Sequence, residues 1–196
     1  MTRLNWIAAI VFFLQLPNPL FWLVMHPQIA YWRRHVRGSY VTAVAIAWGS
    51  VTLFLVAFRH SLFRHNQPTA WAIATGFVLI GLDLWLFSQV HRDLGLERLI
   101  GRPELSGSGE VARTGIYAHL RHPRYTGMIA SVFGACLLGA TRWMWCVAGV
   151  WLVLVMAAIH LEEHELRARF GDAYAKYCRC VPRFIPYRSL LRARNN

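Results

Sequence analysis

Residues that could bind an anion or contact an aromatic ligand are concentrated in residues 115–125. This run contains Arg121, His122 and Tyr125, and Pro123 directly follows the histidine. Proline suits the first turn of a helix, because its ring presets φ and its missing N–H would have no partner there. The free N–H groups of such a turn, at the positive end of the helix dipole, can bind a carboxylate or a phosphate. The run therefore predicts a cofactor site at the mouth of a helix that begins at Pro123.

The composition indicates that a membrane surrounds this site. Of the 196 residues, 56% are hydrophobic, yet the net charge is +12. Apolar blocks of about 20 residues that alternate with arginine-rich loops are typical of a polytopic membrane protein. The basic charge is explained by these loops and by contact with anionic lipid, so we expect no nucleic-acid partner.

We predict an all-α fold with five transmembrane helices in one domain, residues 1–196. No linker or low-complexity tract divides the chain, although it falls into a three-span part, 1–90, and a part with a cofactor-binding loop, a helix hairpin and a C-terminal helical segment, 91–196. The predicted spans are residues 6–25, 39–58, 70–90, 123–140 and 145–161. A long polar loop is expected over 91–114, and a tight turn at Arg142 and Trp143.

Two features inside the spans can each be interpreted in a structural or in a functional way. Pro17 and Pro19 must kink or break the first helix, either for packing or to open a lateral path for a lipid. Asp83 is the only acidic residue in the first three spans, where a charge costs about 2.5 kcal/mol or more near the bilayer centre. It must have a partner or be protonated, either in a hydrogen bond between helices or in a substrate cavity. Small residues in the fourth span, Gly127 among them, predict close helix packing.

The distribution of arginine and lysine predicts the orientation. If the N-terminus lies outside, only Arg3, Arg59, Arg64 and Arg142 of the 21 basic residues fall on the outer side. The C-terminus is then cytosolic, and a bacterial inner membrane is expected for so short and arginine-rich a chain. The cytosolic segment after the fifth span should be helical with an apolar face, divided at Gly171, and extended beyond Val181.

The chain resembles the integral-membrane isoprenylcysteine carboxyl methyltransferase and phospholipid methyltransferase superfamily over residues 109–186. The order and spacing of several short pieces carry the resemblance, since each piece alone is weak. These pieces are Gly115-Ile116-Tyr117, Arg121-His122-Pro123, Tyr125, Gly127, Glu162-Glu163, Leu166, Phe170-Gly171, Tyr174, Tyr177, Val181 and Pro186.

The resemblance implies an S-adenosylmethionine (SAM) site between the last two spans and the cytosolic segments beside them. It implies cofactor contacts from Gly109, Glu110, Val111, Ala112, Tyr117, His122, Pro123, Arg124, Tyr125 and Glu162. The helix mouth suits the methionyl carboxylate, and a glutamate suits the ammonium or the adenine amino group. Adjacent helical residues point about 100° apart, so Glu162 and Glu163 cannot face one atom. We expect Glu163 to meet an arginine of the tail instead.

The candidate catalytic residues are Arg121, His122 and Glu163. A methyl acceptor that is already anionic needs no base, whereas an ammonium group must first lose a proton. His122, His160 and Glu163 are candidate bases by position, and the sequence does not decide between them. The histidines and cysteines lack metal-ligand spacing, so no metal is expected.

The methyl acceptor is expected to be a lipid or another lipophilic small molecule. Isoprenylcysteine enzymes carry an arginine four residues before the glutamate pair, where this chain has Ala158. A prenylcysteine carboxylate is therefore a doubtful acceptor, and a phospholipid amine, a small thiol or another amphiphile stays open, as does the oligomeric state. The alternatives are an NADPH-dependent reductase of the sterol reductase type, and a non-enzymatic membrane scaffold or transporter.

Overall fold

The computed structural model describes residues 2–25, 31, 36–64, 66–99 and 112–186, without the side chains of 36–40 and 95–99. Within these residues the fold is all-helical, as predicted, and no strand occurs. The α-helices are α1 (Arg3–Gln15), α2 (Pro17–Met25), α3 (Val36–Ala57), α4 (Arg59–Leu62), α5 (Ala70–Leu99), α6 (Pro123–Gly139), α7 (Arg142–Phe170) and α8 (Asp172–Cys180). A short 3₁₀ helix, Gly115–Ala118, precedes α6.

Three stretches of the described chain are long and apolar enough to cross a membrane. They are Arg3–Met25, which comprises α1 and α2, Ala70–Leu94 in α5, and Arg142–Phe170. The apolar part of α3, Val41–Ala57, is shorter. The 17 residues of α6 span only about 26 Å, slightly less than the hydrocarbon core of about 30 Å. Helices thus lie at all five predicted positions, and three of them meet the requirements for a span.

The first span is broken at Leu16, as the two prolines predict. Pro19 has no N–H for the carbonyl of Gln15, which would be its partner in a continuous helix. The Asn18 side chain supplies the missing donor, because its Nδ2 lies 3.2 Å from Gln15 O and 2.7 Å from Leu14 O. The carbonyl of Gln15 therefore has a hydrogen-bond donor in spite of the break.

Helix α5 is longer than predicted. The expected loop over 91–114 is therefore wrong for residues 91–99, which are helical. The helix ends at Leu99 after 30 residues, about 45 Å, which exceeds the hydrocarbon core. We expected a loop from His91 because charged residues begin there. Since no proline interrupts residues 91–99, the helix continues into the polar layer, and the connecting segment is correspondingly shorter.

Helix α6 packs mainly on α5 and also on α1 and α7. The close approach predicted from its small residues is confirmed at Gly127, where a Cβ would lie 2.6 Å from Asp83 Oδ1. Gly134 is not part of that prediction, and a Cβ there would lie equally close, 2.6 Å from Gly76 O. The helix ends in a left-handed residue, Ala140, with φ of 53°. The tight turn therefore lies at residues 140–141 and not at 142–143 as predicted, because the Thr141 side chain caps α7 and starts that helix one residue later.

The C-terminal helical segment is divided at Gly171, as predicted, where φ is 52°. The apolar face of α8 is also confirmed. Tyr174, Tyr177 and Val181 are buried, and Leu166 and Phe170 pack against them. Helix α8 is thereby fixed on the charged end of α7.

Candidate functional site

A single carboxylate organises the polar end of α6 and α7. Glu163 is fully buried and accepts hydrogen bonds from Arg121 Nη1 at 2.7 Å, Arg167 Nη2 at 3.0 Å and Arg183 Nη2 at 2.6 Å. Arg183 Nε donates a further bond at 3.1 Å, and His122 Nε2 lies 3.1 Å from Oε1. We call these five residues the Glu163 cluster. It joins the loop before α6, the end of α7 and the segment after α8.

The cluster lies beyond the apolar part of α7. This helix has 29 residues, about 44 Å, and its charged end begins at Glu162. Burial alone would raise the pKa of the Glu163 carboxyl, but hydrogen bonds from His122 and Arg183 and the charge of Arg121 outweigh it and hold this pKa below its usual range. Glu163 is therefore ionised at neutral pH.

The structure confirms that Glu163 meets an arginine of the tail, Arg183. Both carboxylate oxygens of Glu163 are occupied by cationic donors, and His122 Nε2 faces the same carboxylate. An ionised and saturated carboxylate is better suited to anchoring its neighbours than to accepting a proton. The roles of Arg121, His122 and Glu163 in catalysis stay predictions.

The helix mouth forms where the sequence places it. His122 is the N-cap residue, and α6 begins at Pro123. The main chain before the helix pairs with the tail, because Arg121 N donates to Pro182 O at 2.9 Å and His122 N donates to Arg183 O at 3.1 Å. The position of the mouth thus depends on a segment that lies about sixty residues further along the chain.

The 3₁₀ helix that carries Tyr117 is fixed on two sides. Ile116 N donates to Asp93 Oδ2 at 2.6 Å, and Tyr177 OH donates to Tyr117 O at 2.8 Å. Gly115 has φ of 58°, and a Cβ there would collide with the Asp93 carboxylate. Glycine is therefore required at this position both for its backbone conformation and for space.

Two residues that were expected to contact the cofactor, Arg124 and Tyr125, contact other parts of the protein. Arg124 Nη1 donates to Asp83 Oδ1 at 2.6 Å, and its guanidinium lies over the Phe87 ring, 5.2 Å from the centroid. The ring of Tyr125 is buried in the core. Contacts of Arg124 and Tyr125 with a cofactor stay predictions. Asp83 does have partners, Arg124 and Gln15 Nε2 at 2.6 Å, as the interpretation of an interhelical bond expects.

Glu162 differs sharply from its neighbour Glu163. It is partly buried and makes no hydrogen bond or ion pair within the described part of the chain. Its charge reaches Tyr174, whose pKa is raised by burial and further by Cys178, Glu163 and Glu162. A contact between Glu162 and a cofactor stays a prediction. Ala112 lies in the segment that leads to the 3₁₀ helix, whereas Gly109, Glu110 and Val111 lie outside the described residues.

Two residues of these polar networks, Arg167 and Gln15, are not predicted from the sequence. Arg167 is four residues after Glu163, a spacing that places two helical side chains together and could have revealed it. Gln15 contacts residues that are distant along the chain, so no local signal identifies it, and the choice of Arg183 among the arginines of the tail depends on long-range packing in the same way.

An apolar cavity of about 690 Å³ lies between α2, α3, α4 and α7. Leu16 and Leu20, at the break in the first span, form part of its wall, and a lateral path for a lipid at this break stays a prediction. The last α7 residue in the wall is Leu154, roughly 13 Å along the helix from Glu163. The cavity and the Glu163 cluster therefore lie at different positions along the axis of α7. Ala158, between them, is fully buried.

Comparison with known proteins identifies a family that matches this part of the chain. The model of the phospholipid methyltransferase family matches residues 71–173, which include α5, α6, α7 and most of the Glu163 cluster. No solved structure matches the chain.

Curated relatives cover different parts of the chain. Methanethiol S-methyltransferase 1 of Bradyrhizobium diazoefficiens is 34% identical over 73 residues, 37% of this chain and 25% of that protein. Protein-S-isoprenylcysteine O-methyltransferase of Schizosaccharomyces pombe is 28% identical over 134 residues, 68% of this chain and 53% of that protein. The enzyme of the same name from Xenopus laevis is 23% identical over 163 residues, 76% of this chain and 51% of that protein. The matches thus span between a quarter and about half of the length of these relatives.

Proposed function

Because the chain belongs to the phospholipid methyltransferase family, we propose that it transfers a methyl group from SAM to a lipophilic acceptor at a membrane surface. The observation that carries this proposal is the contact between Arg121 and Glu163, 2.7 Å apart. It brings the helix mouth at Pro123 beside the glutamate pair of α7. Two sequence pieces about forty residues apart thereby form one polar site.

The residues at this site fit the charges of the methyl donor. The first amides of α6 and the positive end of its dipole suit the donor carboxylate. Arg121 Nε is buried and has no hydrogen-bond partner among the described residues, so an acceptor atom of a bound anion would satisfy it. Glu162 suits the donor ammonium or the adenine amino group. Its carboxylate is available for this contact because the arginines of the cluster pair with Glu163.

The chemistry requires alignment more than it requires reactive side chains. The sulfonium of the bound donor supplies an electrophilic methyl group. The protein holds the acceptor in line with that methyl and excludes water, and such positioning can supply several kcal/mol of the barrier. His122 and Glu163 hold the loop before α6 in place, because each is bonded to the other at 3.1 Å.

The proposed acceptor is a lipophile, and a prenylcysteine carboxylate is the less favoured candidate. The side chain of Ala158 is fully buried, at the position where isoprenylcysteine enzymes carry an arginine. A thiol or an amine is favoured instead. The Bradyrhizobium relative is named for methylation of a small thiol, whereas the Schizosaccharomyces relative is named for O-methylation of a lipidated cysteine, the acceptor that Ala158 disfavours. The apolar cavity offers room for a hydrocarbon tail.

In the proposed topology α3 and α6 complete a set of five spans. Helix α6 is short, but α5, α1 and α7 cover it. Most arginines and lysines fall on the side of the Glu163 cluster, so this side faces the cytosol, where SAM is available. A bacterial inner membrane fits this arrangement.

Calorimetric titration of the detergent-purified protein tests the proposal. S-adenosylhomocysteine (SAH) should bind at micromolar concentration to the wild type and at least tenfold more weakly to Glu162→Gln. Asp172→Asn, which alters an exposed carboxylate on α8, serves as the control and should bind normally. NADPH should give no heat. Binding of NADPH without SAH would make the protein a reductase, and binding of neither would support a scaffold or transporter.

A further inference from the structure

The segment after α8, residues 181–186, lies against the mouth of α6 and is called the tail segment here. It contains Arg183, which has no role in the function proposed above. We propose that Arg183 is a positioning residue for the methyl donor: by holding the tail segment on Glu163, it fixes the main chain at His122 from which the mouth is built. This inference rests on the proposed function.

The contact between Arg183 and Glu163 is a two-point contact. Nη2 donates to Oε2 at 2.6 Å, and Nε donates to Oε1 at 3.1 Å. The planar guanidinium matches both oxygens of a carboxylate, which fixes the relative orientation as well as the distance. Lysine carries the same charge but cannot reproduce this geometry. The hydrogen bonds also raise the pKa of Arg183, so the pair stays charged.

Main-chain and ring contacts transmit this orientation to the mouth. The carbonyl of Arg183 accepts from His122 N at 3.1 Å, and that of Pro182 accepts from Arg121 N at 2.9 Å. On the next residue, the Phe184 ring lies 6.3 Å from the His122 ring, centroid to centroid. His122 is the N-cap of α6, so its backbone conformation sets where the first amides of the helix point.

Arg167 provides a matched comparison. It donates to the same oxygen, Glu163 Oε2, at 3.0 Å, and the two arginine side chains are similarly exposed, 47% for Arg167 and 41% for Arg183. Arg167 lies on the same helix as Glu163, four residues away. It therefore contributes the same charge to the cluster without connecting the tail segment to the mouth.

The experiment compares Arg183→Gln, Arg183→Lys and Arg167→Gln in the full chain. It measures the dissociation constant of SAH and the hydrogen exchange of the Arg121 and His122 amides. Loss of the two-point contact in Arg183→Gln should weaken SAH binding about tenfold or more and speed the exchange of both amides. Arg183→Lys should fall between this variant and the wild type. Arg167→Gln should weaken SAH binding several times less than Arg183→Gln and leave the exchange slow.

Steady-state kinetics separates positioning from a general loss of structure. In Arg183→Gln the KM for SAM should rise, whereas the KM for the acceptor should not. Equal losses in Arg183→Gln and Arg167→Gln would overturn the role, because charge alone would then explain the effect. SAH binding and exchange at wild-type levels in Arg183→Gln would overturn it as well. A wild type that does not bind SAH would overturn both this role and the proposed function, so the two failures are distinguishable.

Discussion

Arg124 Nη1 lies 2.6 Å from Asp83 Oδ1, and this ion pair joins the first turn of α6 to the middle of α5. The second oxygen of Asp83 accepts from Gln15 on α1 at 2.6 Å. One carboxylate therefore connects three helices at the base of the proposed donor site. In an apolar layer each partner would be costly alone, so the pair stabilises the packing only while it is complete.

Breaking this pair should destabilise the protein strongly. Asp83→Ala leaves Arg124 without its carboxylate. Removal of one partner of a fully buried pair costs about 3–5 kcal/mol, and we expect the lower end of this range because the Arg124 side chain is 27% exposed. Thermal unfolding in detergent should show a clear decrease in the midpoint for Asp83→Ala. The double variant Asp83→Ala with Arg124→Ala should lose much less than the sum of the two single changes. Additive losses would indicate that the two side chains act independently.

Close packing of α6 on α5 gives a second prediction. A Cβ on Gly134 would lie 2.6 Å from the main-chain oxygen of Gly76, which cannot move aside as a side chain can. Gly134→Ala should therefore cost about 1–3 kcal/mol through overpacking. Gly149, in the middle of α7, has no atom within 4 Å of such a Cβ. The control Gly149→Ala should be neutral or slightly stabilising, and an equal loss in both variants would refute the packing argument.

The breaks and starts of helices could be predicted from the sequence, because single residues encode them. The two prolines predict the break at Leu16, Pro123 predicts the start of α6, and Gly171 predicts the division before α8. The end of α5 is not predicted correctly, because charged residues suggest a loop although no proline stops the helix there.

The contacts of the candidate site were only partly predictable. The geometry of a helix separates Glu162 from Glu163, which led to the correct expectation that Glu163 meets a tail arginine. The pairing of Arg124 with Asp83 depends on how α5 and α6 pack. Local sequence carries no information on that packing, so Arg124 was assigned to the cofactor alone.

Acid should reveal the contribution of Glu163 to stability. Its pKa is below its usual range in the folded protein, chiefly through His122 and Arg183 against the effect of burial. A depressed carboxyl pKa gives stability that is present above the unfolded value, about 4.3 for a glutamate, and is lost as the pH falls through the folded value. The difference in unfolding midpoint between wild type and Glu163→Gln should thus shrink as the pH falls below about 4. A difference that grows on acidification would contradict the assignment.

Filling the apolar cavity should separate the binding of donor and acceptor. Val147 lines the cavity, whereas Val153 on the same helix is exposed outside it. Val147→Trp should leave the dissociation constant of SAH unchanged, because the cavity wall ends roughly 13 Å along α7 from Glu163. It should reduce methyl transfer to long-chain lipid acceptors severalfold, while Val153→Trp should not. Identical transfer in the two variants would show that acceptors do not use this cavity.

Transfer of a labelled methyl group tests the central claim most directly. The purified protein in vesicles of bacterial lipid extract would be incubated with SAM that carries tritium in its methyl group, and the organic phase would then be counted. We predict that the label enters the organic phase with the wild type and Asp172→Asn and is nearly abolished with Glu162→Gln. Label that stays entirely in the aqueous phase with the wild type, or that transfers equally with Glu162→Gln, would contradict a lipophilic acceptor or the proposed donor site, respectively.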